Sequence, residues 1–190
     1  MKSKNKYYLK SGLLYFWFEP SWKSKVKDKH KREVDKDFVL QRLRKFDIDS
    51  SIDYAPNGAP ILNKKIKIDD AFYSNISISH SGGWFAFYFS KSREGVDIQL
   101  LKESIKDAPY FFMKDSEIEK FNSINDFHLI WGAKEAFYKK LLGNIKNTKE
   151  DLEVLNIDYQ NQRIELLYKN AVNFLSFRIL EDRFLVWTNL

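Results

Sequence analysis

The most regular hydrophobic pattern in the chain is a helical stripe within residues 127–142. At about 100° per residue, the apolar side chains of this stretch fall on one arc roughly 140° wide, which is typical of a helix that faces a core. They are Phe127, Ile130, Trp131, Phe137, Tyr138, Leu141 and Leu142. The pattern therefore predicts a core-facing helix here, and Gly143 is expected to end it.

Charged side chains interrupt this stripe. Lys134 projects into the middle of the apolar arc, and Glu135 lies at its edge with His128 and Lys139 on the same flank. Burying an unpaired charge costs several kcal/mol, so these groups should face one another, a ligand or a metal. The stripe by itself also leaves open a structural Lys–Glu pair at the helix edge.

The first half of the chain reads as a strand, a helix and then a series of short strands. Aromatic and β-branched runs predict strands, and a run of good helix formers whose first half is rich in lysine predicts a helix after Pro20. The expected elements are a strand at residues 7–18, a helix at 22–46, a short strand and turn at 51–62, strands at 76–79 and 84–89 joined by a turn at 80–83, and a strand at 95–99.

In the second half, as in the first, a helix is followed by a short strand, a turn and a hairpin. Helical patterns cover residues 104–121 and the stripe, and strand patterns follow at 152–159, 162–169, 174–180 and 183–188. Residues 52–54 and 157–159 are both Ile-Asp-Tyr before a turn, and no linker-like segment separates the halves. We therefore expect a pseudo-duplicated α+β protein with subdomains at residues 1–100 and 101–190.

Composition narrows the chemistry. The chain has 190 residues, no cysteine and three histidines, which excludes disulfides, thiolate catalysis and cysteine-based zinc sites. Its net charge of +6 favours an anionic partner, which could be nucleic acid, a phosphorylated small molecule or an acidic protein. Its apolar runs are far shorter than the roughly 18 residues of a membrane span. These features lead us to expect a soluble, cytoplasmic protein without a membrane partner.

Few candidate catalytic groups remain. The chain has no phosphate-binding loop, no dinucleotide fingerprint and no paired-histidine zinc helix. Ser79 and His80 are adjacent on a predicted strand and point to opposite faces, so they do not form a catalytic dyad. Asp97 and Glu135 come from separate elements and suit a hard cation such as Mg²⁺, although Asp97 also fits a solvated strand end.

Three blocks carry a resemblance to a known family. Residues 75–84 read Asn-Ile-Ser-Ile-Ser-His-Ser-Gly-Gly-Trp, residues 94–98 read Glu-Gly-Val-Asp-Ile, and residues 131–139 read Trp-Gly-Ala-Lys-Glu-Ala-Phe-Tyr-Lys. In order and spacing they resemble the 4'-phosphopantetheinyl transferases, which have a Ser-His before a glycine turn, a Gly-(Val/Ile)-Asp-Ile strand and a Trp-x-x-Lys-Glu-x-x-x-x-Lys helix. The length is similar to that of the surfactin-synthetase-activating (Sfp-like) group, in which two α/β halves lie side by side. The N-terminal half of this chain would be abbreviated.

The resemblance implies a holo-[acyl-carrier-protein] synthase activity. Phosphopantetheine would pass from coenzyme A to a serine of an acidic apo acyl or peptidyl carrier protein, releasing 3',5'-ADP, in lipid or secondary-metabolite biosynthesis. Asp97 and Glu135 would hold Mg²⁺, Glu135 or a water beside it would accept the serine proton, and Lys139 would stabilise the leaving group. The residues implied in coenzyme A binding are Ser79, His80, Lys134, Lys139, Lys31 and Arg32. The protein would act as a monomer and would need no nucleic acid.

The chain departs from the family pattern at three places. Gln99 stands where many relatives have a second metal carboxylate, so it would bind Mg²⁺ weakly or through water. Ala59 replaces a lysine that usually touches coenzyme A phosphate, and the arginine of the N-terminal helix is matched only by Lys36 or Arg42. Further basic residues that would compensate for these changes are Lys31, Arg32, Lys64 and Lys65.

Two other functions fit the sequence. An inactive homologue that only binds coenzyme A or a carrier protein is compatible with Gln99 and Ala59. A basic nucleic-acid-binding protein would use the lysine-rich run at residues 23–32 and exposed aromatic side chains. Against the second function, the aromatic residues follow core patterns, and an acidic pair repels phosphates unless a metal intervenes.

Overall fold

Two antiparallel sheets, each with a helix packed on one face, form the structured part of the chain. The computed structural model describes residues 5–189, except for the side chains of residues 5, 28 and 50. It divides into two units, Met1–Arg93 and Glu94–Leu190, each with its own hydrophobic core. The mixed α+β class is confirmed. The sequence pattern places the boundary after residue 100, whereas the strand Val96–Leu100 pairs with Arg183–Thr188 and so belongs to the second unit.

The first unit contains a four-stranded sheet, two helices and two small hairpins. Its elements are β1 (Asn5–Tyr8), β2 (Gly12–Phe18), α1 (Trp22–Asp28), α2 (Lys31–Arg44), a 3₁₀ turn (Asp49–Ser51), β3 (Ile52–Tyr54), β4 (Pro60–Leu62), β5 (Ile66–Ile68), β6 (Ala71–Tyr73), β7 (Asn75–Ser81) and β8 (Trp84–Ser90). The sheet order is β1-β2-β8-β7, and β3–β4 and β5–β6 form separate two-stranded pairs.

Several elements of this unit differ from the sequence expectation. The predicted strand at residues 7–18 is a hairpin, because Leu9 and Gly12 exchange backbone hydrogen bonds in a tight turn. The predicted helix at 22–46 breaks into α1 and α2 at Lys29 and His30, whose backbones are extended. The three-residue strands β5 and β6 were not predicted, since three residues are too few to show a period-2 pattern.

The register of the first sheet decides which side chains face α2. Trp17 and Phe85 are paired across β2 and β8 and stack with ring centroids 5.1 Å apart. His80 lies opposite Phe85 in the β7–β8 pair and therefore shares that face of the sheet. Apolar side chains of α2 pack into the same core; they are Val34, Phe38, Val39 and Leu43. Ser79, one residue earlier on β7, faces the opposite side of the sheet.

The second unit is a five-stranded sheet with a long helix. Its elements are β9 (Val96–Leu100), two 3₁₀ turns (Glu103–Asp107 and Pro109–Phe111), α3 (Asp115–Lys120), α4 (Ile124–Lys140), α5 (Thr148–Asp151), β10 (Glu153–Asp158), β11 (Arg163–Tyr168), β12 (Ala171–Leu180) and β13 (Arg183–Thr188). The strand order is β10-β11-β12-β13-β9. The predicted helical stretch at 104–121 is mostly 3₁₀ turn and loop before the short α3. Within residues 5–189, no helix is long and apolar enough to cross a membrane.

The helix α4 is the predicted stripe helix. It begins after Ser123, whose hydroxyl accepts the backbone N–H of Asp126 while the Asp126 carboxylate accepts the N–H of Ser123. Phe127, Ile130 and Phe137 are buried as the stripe predicts. Trp131 is instead 38% exposed, and its ring packs at nearly a right angle to that of Phe112.

The backbones of α4 and the start of β9 approach each other very closely at Gly95. A Cβ atom on this residue would lie 1.8 Å from the carbonyl oxygen of Ala136 and 2.9 Å from the backbone nitrogen of Lys140. Neither atom belongs to a flexible side chain. Glycine at 95 is therefore a condition for seating α4 on the strand that carries Asp97.

We predict that Gly95→Ala destabilises the protein by about 3 kcal/mol, because the added methyl group overlaps the backbone of α4. Urea unfolding followed by tryptophan fluorescence measures this loss. The matched control is Gly58→Ala, at the tip of the β3–β4 turn. Gly58 has φ +82° but open space around its Cβ direction, so its loss should stay near 1 kcal/mol. Equal losses in the two variants would contradict the close approach.

Candidate functional site

A carboxylate and a lysine meet where α4 crosses β9. Asp97, in the middle of β9, is buried at 6% exposure. Lys139 donates from Nζ to Asp97 Oδ1 at 2.7 Å and to the Val96 carbonyl at 3.1 Å. Glu135 lies one turn before Lys139 on α4, which places its carboxylate on the same flank of the helix. The structure therefore brings together the three residues to which the resemblance assigns catalysis.

The surroundings of Glu135 disfavour the ionised form of its carboxyl group. Burial raises the pKa of Glu135, the negative charge of Asp97 raises this pKa further, and the ammonium of Lys139 lowers it. Within residues 5–189, no side chain donates a hydrogen bond to the Glu135 carboxylate. A cation between Asp97 and Glu135 would relieve this repulsion.

The donor set fits one kind of metal. In the described part of the chain, no three histidine or carboxylate side chains are grouped as a metal site. Mg²⁺ commonly takes only one or two protein carboxylates and completes its shell with waters and substrate phosphate oxygens. Asp97 and Glu135 satisfy that requirement, provided that the cation shares Asp97 with Lys139. A site for zinc or calcium, which need more protein ligands, does not fit.

Gln99 has protein partners at both ends of its amide. Its Nε2 donates to Asp97 Oδ2 at 2.8 Å, and its Oε1 lies 3.0 Å from Nδ1 of His128. His128 is buried, and burial lowers its pKa, so the ring is neutral at pH 7. The resemblance makes Gln99 a weak or water-mediated metal ligand, but the structure places its amide oxygen against the imidazole. Sequence reasoning noted His128 only as a flank residue of α4 and missed this contact.

Lys134 pairs internally, which is one of the two alternatives that the stripe leaves open. Its Nζ lies 2.6 Å from Glu117 Oε2 and donates to the Phe112 carbonyl at 2.8 Å. Both side chains of the ion pair are at most 2% exposed. Glu117 also accepts backbone N–H groups of Lys114 and Val154, each at 2.7 Å. This contact holds Lys134 inside the second unit, away from the coenzyme A contact that the resemblance implies.

The sequence did contain a signal for Glu117. It is the third residue of a helix that begins after Lys114, and its carboxylate accepts the N–H of that residue as in a capping box. The same helix end thus supplies the partner of Lys134. Only the packing of α3 against α4, which no local pattern reports, brings the two charges together.

A cationic cavity lies in the first unit between α2, β7 and the β3–β4 hairpin. Its volume is about 530 Å³, and Arg32, Lys36 and His80 line it together with Tyr54. His80 is 39% exposed at the side chain, and its Nδ1 lies 3.3 Å from Oδ2 of Asp35. Asp35 is buried and accepts the indole N–H of Trp22 at 2.7 Å. Asp35 therefore fixes the orientation of the His80 ring at the cavity wall.

The other basic candidates lie outside this cavity. Lys31 is exposed on α2 and does not line the cavity, and Lys64 and Lys65 are exposed after β4. Arg42 donates to the hydroxyl of Tyr15 at 3.0 Å and stacks over the ring of Trp17. Of the two matches for the family's arginine, Lys36 reaches the cavity and Arg42 supports the core. Ser79 is buried at 5% exposure and is absent from the cavity wall.

Comparison with known proteins adds no family to this description. No family model matches the chain, and no curated protein matches it either. The fold and the two sites define an α+β protein with an acidic pair and a lysine in one unit and a cationic cavity in the other. Any function must therefore be inferred from those side chains.

We predict that Glu135→Gln stabilises the protein by about 1 kcal/mol at neutral pH, because it removes a carboxylate whose ionised form is disfavoured in the folded state. A raised pKa in the folded state means that the wild type loses stability as the pH rises from about 4.5 through that pKa. The advantage of the variant should therefore shrink as the pH falls toward 4.5. Thermal unfolding without divalent cations across this pH range measures it. A variant that is less stable than the wild type at every pH would contradict the assignment.

Proposed function

We propose that the protein is a Mg²⁺-dependent 4'-phosphopantetheinyl transferase of the surfactin-synthetase-activating kind. The observation that carries the proposal is the cluster of Asp97, Glu135 and Lys139 at the crossing of β9 and α4. An acidic pair beside an ordered ammonium is the chemistry that a pyrophosphate substrate with a divalent cation requires. The mixed α+β units, each a sheet with a packed helix, support the specific fold that this family has.

The reaction is a phosphoryl transfer. The serine hydroxyl oxygen of the carrier protein attacks the phosphorus that bears pantetheine, and a new phosphorus–oxygen bond forms. The bond from this phosphorus to the bridging oxygen breaks, and 3',5'-ADP leaves with the electron pair. Mg²⁺, when bound by Asp97 and Glu135, supplies charge neutralisation at the pyrophosphate.

Glu135 and Lys139 have separate roles in the reaction. Glu135, or a water beside it, accepts the serine proton as general base. Lys139 already lies 2.7 Å from Asp97, so its ammonium is positioned before substrate arrives. It then donates to phosphate oxygens and stabilises the negative charge of the leaving group.

The cavity of the first unit supports the binding of coenzyme A. Arg32 and Lys36 bring two cations to its wall, and His80 adds a ring that Asp35 holds in place. A cavity wall with several cationic side chains favours the binding of phosphate, and Arg can bind a phosphate group through two parallel hydrogen bonds. We assign the 3'-phosphate of coenzyme A to this cavity. Lys36 and Arg32 then supply the positive charge that the family's lysine supplies at the position of Ala59.

The second substrate is an acidic apo carrier protein. The chain has a net charge of +6, which steers an acidic partner toward it.

Two features favour a second candidate function, an inactive homologue that only binds coenzyme A. They are the ion pair that already engages Asp97 and the amide at Gln99 in place of a metal carboxylate.

We predict that the protein, incubated with coenzyme A, Mg²⁺ and apo carrier proteins, adds phosphopantetheine to a carrier serine. Intact mass spectrometry with fatty-acid, polyketide and peptide carriers detects the product. Asp97→Asn and Glu135→Gln should each lower the rate by about 100-fold or more, because each removes a metal ligand. Glu119→Gln, an exposed carboxylate on α3, is the matched control and should keep the wild-type rate.

Two results would decide against this proposal. Absence of a mass shift with every carrier would refute the transferase and leave the inactive homologue. A normal rate in Asp97→Asn or Glu135→Gln would instead refute the assignment of these two residues. Circular dichroism of each variant shows that its fold is retained.

We predict that Arg32→Ala and Lys36→Ala each weaken the binding of 3',5'-ADP about tenfold, because each removes a charged hydrogen bond to phosphate. Isothermal titration calorimetry measures the affinity. Lys31→Ala removes the same charge from the neighbouring position of α2 but outside the cavity, so its effect should stay within about twofold. An equal loss in all three variants would mean that the nucleotide responds to net charge rather than to the cavity.

A further inference from the structure

We propose that Gln99 is a positioning residue that relays a hydrogen bond from His128 to Asp97, and that its NH₂ group rather than its oxygen faces the acidic pair. The role of Asp97 as a metal ligand rests on the proposed function. The relay itself rests on the contacts within the second unit. It replaces the weak metal ligation that the resemblance implies for Gln99.

The relay begins at a backbone group whose direction is certain. The N–H of Lys102 lies 3.0 Å from Nε2 of His128, and a backbone nitrogen can only donate. Nε2 also lies 3.3 Å from the carbonyl oxygen of Lys102, but the contact with the N–H is shorter and its hydrogen points at Nε2. Nε2 is therefore the acceptor, because a second hydrogen on it would point at the first. The neutral ring then carries its hydrogen on Nδ1.

The histidine in turn fixes the amide. Nδ1–H donates to Gln99 Oε1 at 3.0 Å, which turns the amide nitrogen toward Asp97. Gln99 Nε2 donates to Asp97 Oδ2 at 2.8 Å. The flipped amide would place an oxygen at that distance from a carboxylate oxygen and would set its NH₂ against the Nδ1–H. Both contacts would be repulsive.

Packing holds each member of the relay in place. His128 is 2% exposed and stacks on Phe184 with ring centroids 4.7 Å apart and planes at 10°. Phe184 is the residue opposite Gln99 in the β13–β9 ladder. On α4, a Cβ at Gly132 would lie 3.0 Å from Gln99 Nε2 and 2.8 Å from a methyl group of Val186. A side chain at 132 would therefore crowd the amide out of its place.

The consequence is a fixed Asp97 carboxylate. Lys139 donates to its Oδ1 and Gln99 donates to its Oδ2, so both oxygens have a donor that limits rotation. A carboxylate at position 99 could accept from His128 but could not donate to Asp97. The amide at this position is therefore suited to orient one carboxylate and not to add a further negative charge to the site.

The His128 tautomer tests the relay without any transfer reaction. The chain has only three histidines, so long-range ¹H–¹⁵N spectra of the full-length protein are simple, and His128→Asn identifies the signals of the ring. We expect the Nδ1–H tautomer, unchanged when Mg²⁺ is added. An Nε2–H tautomer, or a switch to it with Mg²⁺, would turn the amide oxygen toward Asp97 and overturn the relay.

Substitution at position 99 gives a second test. Gln99→Glu should lower the transfer rate about tenfold and leave the affinity for Mn²⁺, measured by water proton relaxation, no tighter than in the wild type. A tighter Mn²⁺ complex would show that residue 99 is a metal ligand and would overturn the relay. If the wild type transfers nothing to any carrier, the proposed function fails, while the tautomer and Mn²⁺ results still decide the relay.

Two variants of His128 separate positioning from packing. Asparagine retains a donor near the place of Nδ1, whereas leucine fills the space without one. His128→Asn should keep the transfer rate within about threefold of the wild type, and His128→Leu should lose about tenfold. Thermal unfolding of both variants reports their stability. Equal loss of rate in the two variants would overturn the relay.

Discussion

The second unit depends on how closely the backbone of α4 can approach β9. At Gly95 there is no room for a Cβ atom beside the carbonyl oxygen of Ala136, and at Gly132 there is little room beside Val186. Two glycines on opposite sides of the contact thus let the helix lie directly on the strand. Glu135 and Lys139 come within reach of Asp97 only because of this approach, so the acidic pair is a product of backbone packing.

The charges of α4 separate into two groups by their partners. Lys134 faces Glu117 in a buried pair whose remaining lone pairs are taken by backbone N–H groups. Such a pair contributes mainly by specifying how α3 docks on α4, since desolvation offsets much of its attraction. Lys139 and Glu135 face Asp97 instead. The ammonium of Lys139 attracts the Asp97 carboxylate, and the carboxylate of Glu135 repels it. One helix therefore carries one charge in a structural ion pair and two charges in the candidate site within six residues.

The polar groups around Asp97 and His80 follow one principle. In each unit, a side chain assigned to ligand chemistry is oriented by a second, more deeply buried polar group that does not reach the ligand. Asp35 holds His80 in the first unit, and Gln99 with His128 holds Asp97 in the second. An oriented donor or acceptor loses less freedom when a substrate binds, which is how such supporting contacts contribute to rate and affinity.

Local sequence patterns were sufficient for some elements and not for others. The strand at residues 183–188 and the stripe helix are where the alternation and the 3.6-residue period place them. The break between α1 and α2, the turn inside the predicted first strand and the strands β5 and β6 were missed. These features depend on hydrogen bonds at one or two residues, which leave no periodic trace.

By itself the sequence determined the α+β class, the core face of α4 and the candidate residues Asp97, Glu135, Lys139 and His80, because residue type and period carry that information. Only the tertiary structure decided the partner of each charge. Glu117 lies 17 residues from Lys134, Asp97 lies 42 from Lys139, and Gln99 lies 29 from His128. Contacts across such separations depend on how helices and strands dock, and no local pattern of residues encodes that docking.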